Sequence, residues 1–202
     1  MLHPMHVDAA DPGALPDLQR RFADGDTEAF GALTGPHLDM LYTVCLRVVG
    51  SPAEAEDVAQ EALCRALDRC RSYDPARPFR PWLLTIALNE CRSRLRSTWW
   101  RRVLGLDARQ EEPAGEGRGA EGRDLDRKVR AALATLPPLY REAVALFHLD
   151  DLSYEEMATA SGASVPALKQ RVRRGLVLLE EAVARLYPDL LEARTVSRRY
   201  EP

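Results

Sequence analysis

Between Arg109 and Gly122 the chain reads RQEEPAGEGRGAEG, a run of glycine, glutamate and arginine without one large apolar side chain. Such a segment buries nothing against a core, so nothing offsets the entropy of ordering it. The residues before it and the residues after it must therefore each build a core of their own. In a chain of 202 residues this predicts two small domains, and a hydrophobic content of 46% is enough for two ordinary cores.

Elsewhere apolar residues recur at three- and four-residue intervals, and the alternation of a strand is hard to find. The expected fold is all-α. A tail over 1–14 precedes a helical domain at 15–98; a flexible linker over 99–126 leads to a second helical domain at 127–188 and a tail at 189–202. The linker leaves the relative placement of the two domains open. No apolar run approaches the roughly 20 residues that span a bilayer. The opening MLHPMHVDAADPG also lacks the basic start and apolar centre of a secretory signal. A cytosolic protein without membrane insertion is expected.

Cys45, Cys64, Cys70 and Cys91 fall inside helical patterns, with no CxxC and no Cys/His ligand spacing, and read as reduced core or surface residues. His3 and His6 form an HxxH on a tail with no partner ligands, while His37 and His148 lie in helical stretches. No Gly-rich phosphate loop is present and no nucleophile stands near a base, so neither an enzyme, a metal, a cofactor nor a small-molecule substrate is expected.

Punctuation places the elements. Asp26 caps one helix; Ser51, with Pro52 at the first helical position and Glu54 three residues after the cap, starts a long one running to about Arg71. YDPARPFRP must be a loop, because Pro75, Pro78 and Pro81 each disfavour helix at the preceding residue, and a new helix starts near Pro81. The second half reads as four helices broken at Pro137-Pro138, Asp150-Asp151 and Gly162.

Around Gly162 the signals become specific. Ser153 and Glu156 form a capping box for a short helix, Gly162 permits a tight turn, and Ser164 caps the next helix with Pro166 in its first turn. Short helix, turn and longer basic helix make a helix-turn-helix pattern. At about 100° per residue, Leu168, Val172, Gly175, Leu176, Leu179 and Val183 share one side and Lys169, Gln170, Arg173 and Arg174 the other. A solvated face normally interleaves acids with bases, yet Ser164 to Leu179 holds no acid. Lys and Arg neutralise phosphates or bond guanine edges, and Gln pairs with adenine, so this face suits a DNA groove. With a formal net charge of −3, attraction to phosphates must come from local faces rather than the whole protein's field.

The helix after Pro81 has an apolar stripe of Leu83, Leu84, Ala87, Leu88, Cys91 and Leu95. Trp82, Thr85, Asn89, Arg92, Ser93 and Arg96 gather opposite. That second stripe fits either single-stranded nucleic acid, with bases stacked on the ring, or a plain surface on which Trp82 caps the core. STWWRR beyond it either continues this surface or packs the domain's end. The helix from Ser51 buries Val58, Ala59, Ala62, Leu63, Ala66 and Leu67, leaving Asp57, Gln60, Glu61, Cys64 and Asp68 outside. DNA would be repelled by this acidic face, which fits a protein partner or water.

Together, AEAEDVAQEALCRAL, RPFRPWLLTIALNECRSRLRS, the acidic linker and LATLPPLYREAVALFHLDDLSYEEMATASGASVPALKQRVRRGL resemble bacterial sigma-70 factors of the extracytoplasmic-function class, over about Leu15 to Leu186. The resemblance implies sigma domain 2 and a helix-turn-helix sigma domain 4, joined by a linker that threads toward the polymerase active-site and RNA-exit channels. The implied partners are core RNA polymerase, promoter DNA and an anti-sigma factor, in a bacterial cytoplasm. By position, Asp57, Gln60 and Glu61 dock on the polymerase. Phe79, Arg80, Trp82, Asn89, Arg92 and Arg96 recognise and melt the minus-10 region. Ser164, Lys169, Gln170, Arg171, Arg173 and Arg174 read the minus-35 region. Val165-Pro166-Ala167 departs from the Glu-Gly-Thr-like stretch common after the cap serine. The resemblance also implies a minimal member with no third DNA-binding domain. The rivals it displaces are a stand-alone duplex-binding regulator and a helical adaptor that touches only proteins.

Overall fold

The computed structural model describes residues 14–103, 120–149 and 152–189. Residues 1–13 with His3 and His6, the middle of the expected linker, the break at Asp150-Asp151 and residues 190–202 lie outside the described residues. The described residues contain α-helices and short 3-10 turns, and no strand. The helices are α1 (Ala14–Ala23), α2 (Thr27–Thr34), α3 (Leu38–Val49), α4 (Pro52–Asp68), α5 (Phe79–Val103), α6 (Ala120–Ala134), α7 (Pro138–Phe147), α8 (Tyr154–Ser161) and α9 (Val165–Leu186).

The starts follow the local chemistry. The Asp26 carboxylate accepts the N–H groups of Glu28 and Ala29 at 2.8 and 3.2 Å, filling two of the donors that the first turn of α2 leaves open. Ser51 accepts the Glu54 N–H with Pro52 at the first position of α4. Ser153 and Glu156 form the reciprocal capping box of α8. Gly162 then adopts a left-handed φ of +69°, which lets the chain turn into α9 beneath the Ser164 cap.

Helix occupies both ends of the stretch read as linker. α5 runs on to Val103 and α6 begins at Ala120. α6 carries Asp124 against Arg127 and Lys128, three and four residues on, and buries Ala132 and Leu133. Those gains extend the helix back through a glycine-containing start. α4 also stops earlier than expected, at Asp68, before a 3-10 turn over Cys70–Ser72.

In the first half, Phe22, Leu41, Val44, Val48, Val58, Leu83, Leu84 and Leu88 are fully or almost fully buried, each worth about 1.5–3 kcal/mol against exposure. In the second half, Leu133, Leu136, Val144 and Ala182 pack α6, α7 and α9 together. The halves are not free of one another: α7 lies against α3, and α8 against α5. One apolar cluster runs from Leu83 and Cys91 through to Leu146, Met157 and Leu168.

α7 explains why. Its residues from Arg141 to Leu146 are all buried, and a helix buried on every side needs neighbours on every side, here α9 and α3. Arg141 is buried with its two terminal nitrogens on backbone carbonyls: Val48 at the end of α3 at 3.0 Å, Ala134 at the end of α6 at 2.6 Å and Leu136 just beyond it at 3.0 Å. Burial pulls its pKa below the ordinary value; the carbonyls partner the terminal nitrogens, while Nε is buried without a partner among the described residues.

Candidate nucleic-acid interface

α9 presents the basic face as its periodicity requires. Leu168, Val172 and Gly175 are buried, Leu176, Leu179 and Val183 half-buried, and Lys169, Gln170, Arg173 and Arg174 exposed. Arg171 is half-buried beside them. Ser164 is exposed and accepts the Ala167 N–H at 3.4 Å, so its hydroxyl serves as a cap in this conformation. Lys169 lies over the ring of Tyr154, 5.1 Å from its centroid, which ties the start of the basic face to α8. Beside the arginines, an open groove of about 650 Å³ runs between α7 and α9, with Leu139 and Val177 on its rim.

The face of α5 is more complicated. Phe79 is 4% exposed and sits in an aromatic cluster, its ring 5.5 Å from Phe22, 5.7 Å from Tyr73 and 5.7 Å from Trp82. In this conformation it supports the surface from below. Trp82 is half-buried, 5.0 Å from Tyr73, so one edge caps the core while the rest reaches the surface. The Tyr73 hydroxyl donates to the Arg77 carbonyl at 2.6 Å and holds the proline-rich loop against the cluster; burial pushes its pKa up to about 12. Asn89 and Arg96 are exposed, and the Asn89 side-chain oxygen accepts from Arg92 at 2.9 Å.

Arg80 and Arg92 face the second half of the chain. Nη2 of Arg80 donates to both carboxylate oxygens of Glu156, at 2.9 and 3.0 Å. Arg92 forms a two-pronged pair with Glu142, Nε to Oε2 at 2.8 Å and Nη2 to Oε1 at 2.5 Å, and Nη2 also donates to the Ser161 carbonyl at 3.0 Å. The Glu142 side chain is only 6% exposed. Burial disfavours the charged form of Glu156, but hydrogen bonds from Ser153 and Arg80 outweigh this and hold its carboxyl below the ordinary value.

On α4, Asp57, Gln60, Glu61, Cys64 and Asp68 are all exposed. The face is less purely acidic than its own helix suggests. Arg65 bridges Glu61 at 2.9 Å and Glu90 at 3.0 Å, and Arg94 approaches Asp57 at 3.6 Å. A groove of about 540 Å³ between α4 and α5 joins these groups with Ser93 and Ser97. Ser93 thus borders the α4 side of α5, at the edge of the face it shares with Asn89 on a helical wheel.

Three participants were not singled out for these surfaces from the sequence: Glu142, the interdomain role of Glu156, and Arg94. Glu142 did carry a signal, a carboxylate that, with Arg141, interrupts a mostly apolar run and had to be paired if buried. The cysteines are free, with Cys64 exposed and Cys45, Cys70 and Cys91 buried.

The geometry agrees with what this chain is similar to. Residues 33–101 match Sigma-70 region 2 and residues 126–179 match Sigma-70 region 4. RNA polymerase sigma factor CarQ of Myxococcus xanthus is 33% identical over 82% of this chain and 95% of its own length. ECF RNA polymerase sigma factor SigW of Bacillus subtilis is 31% identical over 82% of this chain and 92% of its own length. Among solved structures, CnrH in complex with the cytosolic domain of CnrY is 28% identical, with a TM-score of 0.64 over 86% of this chain and 99% of that one. The sigma factor RpoE of Bartonella quintana, in complex with the anti-sigma factor NepR, is 28% identical, with a TM-score of 0.65 over 76% and 96%.

Proposed function

The chain belongs to the extracytoplasmic-function class of RNA polymerase sigma-70 factors, and we propose that it serves core polymerase through three surfaces of its own. As a sigma factor it joins the core enzyme and directs promoter-specific initiation. The α9 face, with Lys169, Gln170, Arg173 and Arg174 outward and Arg171 and Ser164 beside them, reads duplex DNA near minus 35. The α5 face, with Trp82, Asn89, Arg92, Arg96 and Arg80 over a Phe79 support, holds the non-template strand near minus 10. Capture of an unstacked base there offsets an unstacking cost on the order of a few kcal/mol. Asp57, Gln60 and Glu61 dock on the polymerase.

The observation that carries this reading is the acid-free basic face of α9 on the second helix of a capped helix-turn-helix, inside the stretch that matches region 4. The polymerase supplies the bond-making chemistry, and the sigma subunit is non-catalytic, with no cofactor or small-molecule substrate. No described helix is long and apolar enough to cross a membrane, and the proposed place of action is the bacterial cytoplasm. The likeness to RpoE bound to NepR supports an anti-sigma partner.

The test is run-off transcription from a genomic-fragment library by purified core polymerase, with and without this protein. Promoter-specific transcripts that fall by about tenfold or more in an R173A/R174A variant support the reading. Tight duplex binding by the protein alone, with no transcripts, would replace it with a stand-alone regulator.

A further inference from the structure

Arg80 and Arg92, through which α5 bonds to the second half, are both groups that the reading above assigns to promoter opening. Arg80 and Arg92 lie in the stretch that matches region 2; their partners Glu156 and Glu142 lie in the stretch that matches region 4, 76 and 50 residues away. Both arginines are only partly buried, their side chains 24% and 32% exposed, and neither belongs to the core of Leu83, Leu84, Ala87 and Leu88. A carboxylate meets a guanidinium with the same paired-oxygen geometry as a phosphate. Arg92 cannot hold Glu142 in its fork and a phosphate in the same fork at once.

We propose that Glu142 and Glu156 stand in for DNA phosphates and clasp the protein shut, so that Arg80 and Arg92 of the minus-10 face are occupied in the free chain while the minus-35 face stays open. The inference rests on the assignment of the α5 face to promoter DNA. The clasp is reinforced by Arg47 donating to the His148 carbonyl at 3.0 Å, by Arg141 donating to Val48, and by the apolar contact of Met157 and Leu146 with the first half. Lys169, Gln170, Arg173 and Arg174 remain exposed throughout. The two promoter elements are therefore engaged in a fixed order: duplex first, then the single strand, after the halves part.

The experiment uses the full chain as wild type, E156Q, E142Q/E156Q and the control E155Q, whose carboxylate is exposed on α8 outside the clasp. Glutamine keeps the α8 capping box, because its amide oxygen can accept from Ser153 as the carboxylate does. Fluorescence anisotropy with a labelled pyrimidine-rich single strand and with a duplex reads each face, and small-angle scattering reads the separation of the halves. Expected are a gain on the order of tenfold in single-strand affinity for E142Q/E156Q, a smaller gain for E156Q, a larger radius of gyration, and no such change in E155Q. Duplex affinity stays within about twofold, as it is governed by α9.

E156Q is the variant that keeps the test decisive if the double variant fails to fold, since Glu156 is partly exposed. An unchanged radius and unchanged single-strand affinity in a folded E156Q, or a wild type already extended, would overturn the clasp. If instead the clasp variants open as expected while R80A/R92A leaves run-off transcription intact, the closed state stands and the assignment of the α5 face to the promoter falls.

Discussion

Gly175 on α9 touches Val144 on α7 so closely that a Cβ added to the glycine would lie 2.6 Å from Cγ2 of Val144 and 3.0 Å from the carbonyl oxygen of Tyr140. Alanine in a helix interior is ordinarily favoured over glycine by about 0.5–1 kcal/mol. Here the obstacle includes backbone, which cannot rotate away, and overpacking costs about 1–3 kcal/mol. G175A should therefore lower the midpoint of thermal unfolding rather than raise it. An increase measured by calorimetry would mean that α7 and α9 separate easily.

Acid should weaken the α8 end of the interface. Glu156 is held below its ordinary value of 4.5 in the folded chain, so the unfolded chain binds more protons in the window just beneath that value. The stability it contributes is complete above about pH 4.5 and is lost as pH falls through the folded value. Unfolding by urea across this range should show a smaller pH dependence in E156Q than in wild type.

His37 responds in the same direction at milder pH. Burial first, and the Arg80 charge second, hold it below its ordinary value of 6.5. A histidine lowered in the folded state gives stability that is present above the unfolded value and is lost as pH falls below it. Its ring stacks on Phe79 at 6.3 Å, so the loss should register in the aromatic cluster, as a change in tryptophan emission as pH falls below about 6.5 that is absent in H37N.

Salt separates phosphate contacts from other contributions on α9. If Arg173 and Arg174 each neutralise one phosphate, R173A/R174A should reduce the slope of log affinity against log salt by about 2 in duplex binding by the holoenzyme. A slope that does not move would assign these side chains to base edges or to no DNA contact.

Reversal of charge on α4 should act on a different partner. D57K/E61K is expected to weaken association with core polymerase by roughly tenfold while leaving the duplex affinity of the isolated chain within about twofold. Glu61 also bridges Arg65, so helix content measured by circular dichroism is the control for local disruption.

Local chemistry was legible because it is written in neighbouring residues. Asp26, Ser51, Ser153 and Ser164 each cap the helix that follows, and the sides of α4, α5 and α9 emerge from spacing alone. Periodicity tells which side of a helix faces away from its own core, but not what waits there. Arg92 points outward as its position requires, yet it meets a carboxylate brought in by a different domain. Phe79 sits at the mouth of a proline-rich loop, where the sequence suggests access; its burial depends on Phe22, Tyr73 and Trp82 converging from three separate segments. The helix at Ala120 was hidden by composition, because glycine and glutamate mark a linker only when nothing downstream draws the helix back into them.

The cysteine arrangement provides an experimental opportunity. Three thiols are shielded in the core, whereas Cys64 opens into the groove beside Glu61 and Arg65. A maleimide dye applied to the unaltered protein under native conditions should react at this one position, placing a spectroscopic reporter on the surface proposed to meet the polymerase. Its emission would follow holoenzyme assembly in real time, and retarded labelling in the presence of core enzyme would map the docking footprint without engineering the chain.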